Sequence, residues 1–226
     1  KILKKNKIKC TIIQISTDQF YNNKNHLKNT ENKKNFINFY TKTKLMVESE
    51  CMKVKSIIIR TNFFGKSNSK KKSFTDWVYK NFKSEKNFYL FKDVFFSPLS
   101  IRTLCKMISL VIRKSEKVSG IYNIGSRNSM NKGEFAIFFA KKCNIYKKKF
   151  KIVKSSNFFK TKRPQFMHMN INKFEKKFQI KLPDLKKEIA ELNLIVSDNQ
   201  TETEIRNLAD LEIKAAKELL PKIDRR

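Results

Sequence analysis

Glycine is scarce in this chain, with only Gly65, Gly120, Gly125 and Gly133 among 226 residues. None of them builds a G-x-G-x-x-G turn, the device that aims backbone amides of a helix N-terminus at a dinucleotide pyrophosphate. No apolar run approaches the roughly 18 residues of a membrane span, and no signal-peptide pattern opens the sequence, so a cytoplasmic protein away from membranes is expected. Cys10, Cys51, Cys105 and Cys143 lack C-x-x-C spacing, and His26 and His168 stand far apart. Neither a metal site nor a disulfide framework is indicated, and reduced thiols fit the cytosol.

Acidic residues are also few, 20 against 51 basic ones, for a formal net charge of +31. Such a charge would suit a nucleic-acid backbone. Only eight of the basic residues are arginine, however, and arginine's planar fork is what reads phosphates and base edges in pairs. The lysines are spread through the first 187 residues amid abundant Asn, Ile and Phe, which marks a drift in composition rather than a binding patch. With 40% hydrophobic residues, the length suffices for one sizeable domain or two small lobes.

What the chain does contain is a set of buried-strand runs with polar ends. Residues 11–15 are apolar and lead into Ser16-Thr17-Asp18; residues 56–60 lead into Thr61-Asn62-Phe63-Phe64-Gly65; residues 120–124 form a third run between glycines. A helix over about residues 40–54 joins the first two, and strand, helix, strand in that order implies a right-handed parallel crossover. The fold class predicted is α/β, a partial Rossmann-type parallel sheet with a smaller α+β lobe. Ligands dock outside the carboxyl ends of such strands, which is where Thr17, Asp18 and Asn62 fall. Residues 21–35 read as a polar loop crossing that side, and helices are expected near residues 74–82, 104–111 and 130–140, with a short strand at 88–91.

Tyr40 and Lys44 are one helical turn apart and share a face. A phenol ordinarily titrates near pH 10, so a neighbouring ammonium suits it to proton transfer near neutral pH. Tyr79 and Lys83 have the same spacing, which a lysine-rich chain produces by chance. Context separates them: Tyr40, Val47, Cys51 and Val54 form a helical stripe, predicted to be apolar and inward, with Lys44 on the same side.

These residues resemble the dTDP-4-dehydrorhamnose reductases, of the extended short-chain dehydrogenase/reductase type. The likeness rests on Ile15-Ser16-Thr17-Asp18 with Phe20-Tyr21, on Asn38-Phe39-Tyr40-Thr41-Lys42-Thr43-Lys44 with Glu48, and on Ile59 to Gly65. It continues through Phe96-Ser97-Pro98, Gly120-Ile121-Tyr122, Arg163-Pro164, Met169 to Phe174 and Leu182-Pro183-Asp184. The resemblance implies hydride transfer from NADPH or NADH to the C4 ketone of a nucleotide-linked 4-keto-6-deoxyhexose. It implies Tyr40 as proton donor and Lys44 as the group that holds the nicotinamide ribose and lowers the phenol's pKa. Thr17 and Asp18 would bind the sugar and tune Tyr40, Ser16 would stand on the cofactor side, Asn62 and Phe63 would contact substrate, and Arg163 would help close the substrate lobe.

The family's glycine-rich opening, about a hundred residues before its Ser-Thr-Asp strand, has no counterpart here. The reading is therefore of a fragment, a split-gene product or a decayed copy, with a complementing N-terminal half or a second copy as its partner and an exposed sheet edge prone to self-association. Residues 1–66 and 94–126 are assigned to the partial Rossmann core, 67–93 and 127–192 to the substrate lobe, and 193–226 to an appended helical tail in which acidic residues outnumber basic ones. Three function classes follow: a sugar-nucleotide reductase, a sugar-nucleotide-binding relic without chemistry, and, weakest, a Lys-rich nucleic-acid binder.

Overall fold

The computed structural model describes residues 10–32, 35, 37–67, 72–158 and 163–191; the tail assigned to 193–226 lies outside them. β1 (Ile12–Thr17), α1 (Phe39–Cys51) and β2 (Ser56–Thr61) form the first crossover. β3 (Phe63–Phe64), α2 (Phe74–Lys83), β4 (Phe88–Phe91), β5 (Phe95–Phe96), β6 (Leu99–Ser100) and α3 (Ile101–Arg113) follow. β7 (Gly120–Ile124), β8 (Met130–Asn131), α4 (Lys132–Lys142), β9 (Phe150–Val153), α5 (Asn172–Phe178) and α6 (Leu185–Ala190) complete the described order.

The main sheet has the order β1-β2-β7, and all its pairs are parallel, with Ile13 opposite Ile57 and Ile59 opposite Tyr122. β2 is buried at every residue, as a central strand flanked on both sides should be. Ile57, Ile59, Leu104, Val111, Tyr122, Phe174 and Phe178 lie in one core cluster. The carboxyl ends of β1 and β2 are level, because Thr17 pairs with Thr61. That register puts Asp18 and Asn62 side by side.

Short paired strands build the walls beyond those ends: β3 with β6, β4 with β9, and β5 antiparallel to β8. Gly125, just past β7, permits a close approach, since a Cβ there would meet the Ser97 carbonyl at 2.6 Å. Ser126 N–H donates to that carbonyl at 2.9 Å, which fixes the 97–100 segment against β7.

One expectation needs correction. The stripe Tyr40, Val47, Cys51, Val54 is not the inward face of α1: Tyr40 and Val47 are exposed, and the buried residues are Thr41 and Glu48. The physical reason is that Glu48 pairs with the fully buried Arg60 of β2, so the helix is rotated to bring a carboxylate inward. The described residues of 21–35 form the expected loop, with one 3-10 turn at His26–Lys28, but part of it is buried. Tyr21, Asn29 and Glu31 are buried, and Asn29 Nδ2 donates to the carbonyls of Phe166 at 3.2 Å and His168 at 2.8 Å.

Candidate functional site

Asp18 follows β1 directly and is 2% exposed. One carboxylate oxygen accepts a 2.7 Å hydrogen bond from Asn62 Nδ2, and the other faces the Thr17 hydroxyl at a long 3.4 Å. Burial pushes the Asp18 carboxyl up to about 6, against the opposing pull of the Asn62 bond and the positive charge of Lys132. Lys132 itself is shifted down, by burial first, with Asp18 opposing that shift and Arg163 adding to it.

A cavity of about 530 Å³ opens beside this cluster, lined by Gln19, Tyr40, Phe91, Val94, Lys132 and Arg163 among others. Tyr40 reaches it because Asn38 starts α1 with a capping box: its side chain accepts from Thr41 N–H while the Thr41 hydroxyl accepts from Asn38 N–H. The Lys44 ammonium lies 6.0 Å from the centre of the Tyr40 ring and donates to the Ile15 carbonyl at 3.5 Å. This fixes the ammonium between the phenol and the end of β1. Opposite, Asp93 accepts from Ser155 and from Gln165 Nε2 at 3.0 Å, tying together segments that carry the cavity wall.

Over residues 4–196 the chain matches the RmlD substrate binding domain. The chain belongs to that family. Among solved structures similar to this RmlD substrate binding domain is dTDP-4-dehydrorhamnose reductase from Bacillus anthracis in complex with NADP, 20% identical, with TM-score 0.70, covering 80% of this chain and 64% of that one. The dTDP-4-dehydrorhamnose reductase ortholog from Clostridium acetobutylicum is 21% identical, with TM-score 0.71 and the same coverages. A hypothetical dTDP-4-dehydrorhamnose reductase from Sulfolobus tokodaii is 27% identical, with TM-score 0.65, covering 77% of this chain and 61% of that one. The chain thus spans less than two thirds of the length of these relatives. Comparison with curated proteins gave no match.

Within the RmlD substrate binding domain the residues singled out from sequence fall into groups. Thr17, Asp18 and Asn62 form one cluster, and Tyr40 and Arg163 line the cavity beside it, with Lys44 against Tyr40. Ser16 is buried and donates to Glu48 at 2.5 Å. Phe63 is 52% exposed, and the cavity wall as described does not include it. Tyr79 and Lys83 sit on α2, where the ammonium lies 5.0 Å from the ring centre. Sequence reasoning missed Glu48 as the partner of Arg60, and it missed Lys132. For Glu48 the usable signal was a carboxylate on a helix that leads into a strand containing arginine; for Lys132 there was none.

The raised Asp18 carboxyl has a testable consequence for stability. Below about pH 4 it is neutral in folded and unfolded chains alike. Between about 4 and 6 the folded chain keeps a proton that the unfolded chain has lost, so stability falls as pH rises and levels off above 6. A displacement from 3.8 to about 6 is worth about 3 kcal/mol. Asp18→Asn should remove that fall and raise the melting temperature at pH 7.5. Thermal melts from pH 4 to 8 check this, and a variant that keeps the wild-type slope refutes it.

Proposed function

We propose that this chain supplies the sugar-side and proton-transfer half of a cytosolic NAD(P)H-dependent reductase acting on the C4 ketone of a nucleotide-linked 4-keto-6-deoxyhexose. The observation that carries this reading is Tyr40 opening into a cavity beside the Asp18–Asn62 cluster, with Lys44 against its ring. The cofactor's part would be to supply hydride. The phenol of Tyr40 donates the proton that the forming alkoxide takes up. Lys44 places positive charge beside that phenol, and Asp18 and Thr17 orient the sugar. Residues 67–93 and 127–192 serve as the lobe that holds the nucleotide sugar over the strand ends.

Phenol and ammonium suit the nicotinamide ribose end of such a cofactor, but the pyrophosphate end finds no match: the chain has no G-x-G-x-x-G. The pyrophosphate end is accordingly supplied by a glycine-rich βαβ half, in the same polypeptide or in a separate one. Two features favour it. Among the described residues β1 is an edge strand with one hydrogen-bonded neighbour. On the adjacent α1, Phe39 and Met46 are 79% and 61% exposed.

The test mixes the full chain with a separately expressed glycine-rich half and follows NADPH oxidation with dTDP-4-keto-6-deoxyhexose. Alone, the chain should bind NADPH weakly or not at all; with the added half, turnover should appear. Robust turnover by the chain alone, or none after confirmed association, overturns the proposal.

A further inference from the structure

This chain has two histidines in 226 residues, and the fold brings them together. His26 opens the short turn His26–Lys28 in the loop after β1, and His168 lies far along the chain in the strap of residues 163–170. Their ring centres are 5.6 Å apart, with the planes nearly perpendicular at 82°. His168 is 8% exposed, and its Nε2 lies 3.2 Å from the Lys24 carbonyl. A carbonyl can only accept, so Nε2 carries the hydrogen and the neutral ring keeps a bare lone pair on Nδ1. That nitrogen is buried and, among the described residues, has no hydrogen-bond partner.

The rest of the joint between loop and strap is made by groups that do not titrate. Asn22 Oδ1 accepts from the N–H groups of Gln165 at 2.7 Å and Phe166 at 3.1 Å, and Asn29 Nδ2 donates to the His168 carbonyl at 2.8 Å. Asn170 N–H donates to the Asn29 carbonyl at 3.1 Å, and Asn170 Nδ2 to the Leu27 carbonyl at 3.0 Å. The strap has a separate anchor on its other side, where Phe95 N–H donates to the Gln165 carbonyl at 2.6 Å and Met167 N–H to the Phe95 carbonyl at 2.9 Å. Residues 22–28 are exposed. When the joint opens, it is therefore the loop that moves.

A proton on Nδ1 would put a donor and a charge where neither is met. The Asn23 carbonyl faces that side from beyond hydrogen-bond reach. His26, edge-on to the ring, is the titratable group that acts on His168, and among the described residues no carboxylate does. Lys24 and Asn23 face it through their carbonyls, and Phe166, at 6.4 Å, through an uncharged ring. Burial holds His168 below the ordinary imidazole range, with His26 adding to the effect and the two carbonyls opposing it.

We propose that the His26–His168 contact is an acid-sensitive latch: with both rings neutral it holds the loop 22–28 on the strap, and protonation of His168 beside a charged His26 lets the loop go. Two observations carry it: the chain's whole stock of histidine meets at one joint, and the nitrogen that would take the proton is buried without a partner. The loop leaves the Thr17–Asp18 end of β1 through Gln19, a residue of the Tyr40 cavity wall. His26 and Leu27 also wall a second cavity, of about 330 Å³, together with Asn170 and Asp184. Release removes one wall of the second cavity and slackens the chain beside the first, whatever ligand either one holds.

With only two histidines, the imidazole NMR signals are assigned by one substitution, His26→Gln. His168 should titrate below about 6.5, and its midpoint should rise in His26→Gln. Amide hydrogen exchange, corrected for its intrinsic pH dependence, reads the latch itself. The Asn170 N–H, bonded to the loop, should lose protection by up to about tenfold for each pH unit below about 6.5, whereas the Met167 N–H, bonded to Phe95, should not. His168→Gln keeps a donor for the Lys24 carbonyl but takes no proton, so its Asn170 protection should stay level over the same range. The Asp18 proton acts with the opposite sign and is common to all the chains compared, so their difference isolates the latch.

A His168 midpoint at or above the ordinary value, an Asn170 protection that does not fall, or an equal fall in His168→Gln overturns the proposal. Loss at Asn170 and Met167 together overturns it too, since acid would then be unfolding the strap rather than releasing the loop. Should His168→Gln not fold, His26→Gln carries the comparison: the higher His168 midpoint should lessen the acid loss at Asn170, and an undiminished loss refutes the latch.

Discussion

Tyr40→Phe, assayed in the complemented enzyme, should lower turnover by about 10²- to 10⁴-fold, the range typical of losing a positioned proton donor, with little change in the affinity for the nucleotide sugar. The substitution keeps the ring, so the contact with Lys44 and the wall of the cavity survive. Tyr40 is 45% exposed, so removing one hydroxyl there leaves no buried polar atom without a partner. A fall in turnover without a matching rise in KM is the mark of an interaction made only in the transition state. Tyr79→Phe is the matched control: the same residue pair at the same spacing on α2 should leave turnover unchanged. Steady-state kinetics of both variants decide the matter, and a Tyr40→Phe enzyme with near wild-type turnover refutes the proton-donor role.

Glu48→Ala should destabilise the fold by about 3–5 kcal/mol, the cost of leaving a buried charge without its partner. Glu48 and Arg60 are 1% and 0% exposed and are joined twice, Nε to Oε1 at 3.0 Å and Nη2 to Oε2 at 2.7 Å. The remaining guanidinium donor, Nη1, reaches the Tyr21 hydroxyl at 2.9 Å and the Glu31 carbonyl at 3.0 Å, and Tyr21 passes its own proton to Asn123 Oδ1 at 2.7 Å. Removing the carboxylate therefore takes the counter-charge from the buried guanidinium and also takes away the acceptor of Ser16. Replacing both charged residues by methionine should cost much less than the single change, because no buried charge is then left over. Urea unfolding of the two variants checks the order, and a Glu48→Ala loss below about 1 kcal/mol refutes the account.

Much of the scaffold could be read from the chain because its signals are local. Three short β-branched runs, each ending in small polar residues, became β1, β2 and β7, and their register follows from the crossover between the first two. The start of α1 is written in Asn38 and Thr41, whose side chains cap it whatever lies elsewhere. The inward face of α1 was not legible, since apolar periodicity pointed to Tyr40, Val47 and Cys51, whereas the helix orientation is set by a charge pair with a strand 12 residues further on. Lys132 was hidden for a different reason. In a chain with 51 basic residues, one lysine at a helix start carries no mark until the fold brings Asp18, Phe74 and Tyr40 around it.

The clamp at Asn29 bears on the order of assembly. Its amide ties the segment after β1 to carbonyls 137 and 139 residues further along, and the Asn22 side-chain oxygen accepts from the backbone N–H groups of Gln165 and Phe166. Contacts of such separation close large loops and form late, after the entropy of closure has been overcome. The sheet β1-β2-β7 can exist before the two chain regions meet, but the wall carrying Arg163, Pro164 and Met167 cannot. The wall of the pocket thus closes late, and because Met169, Ile171, Phe174 and Phe178 also belong to the core beneath the sheet, a polypeptide interrupted before residue 163 would lack both that wall and part of the packing that supports it.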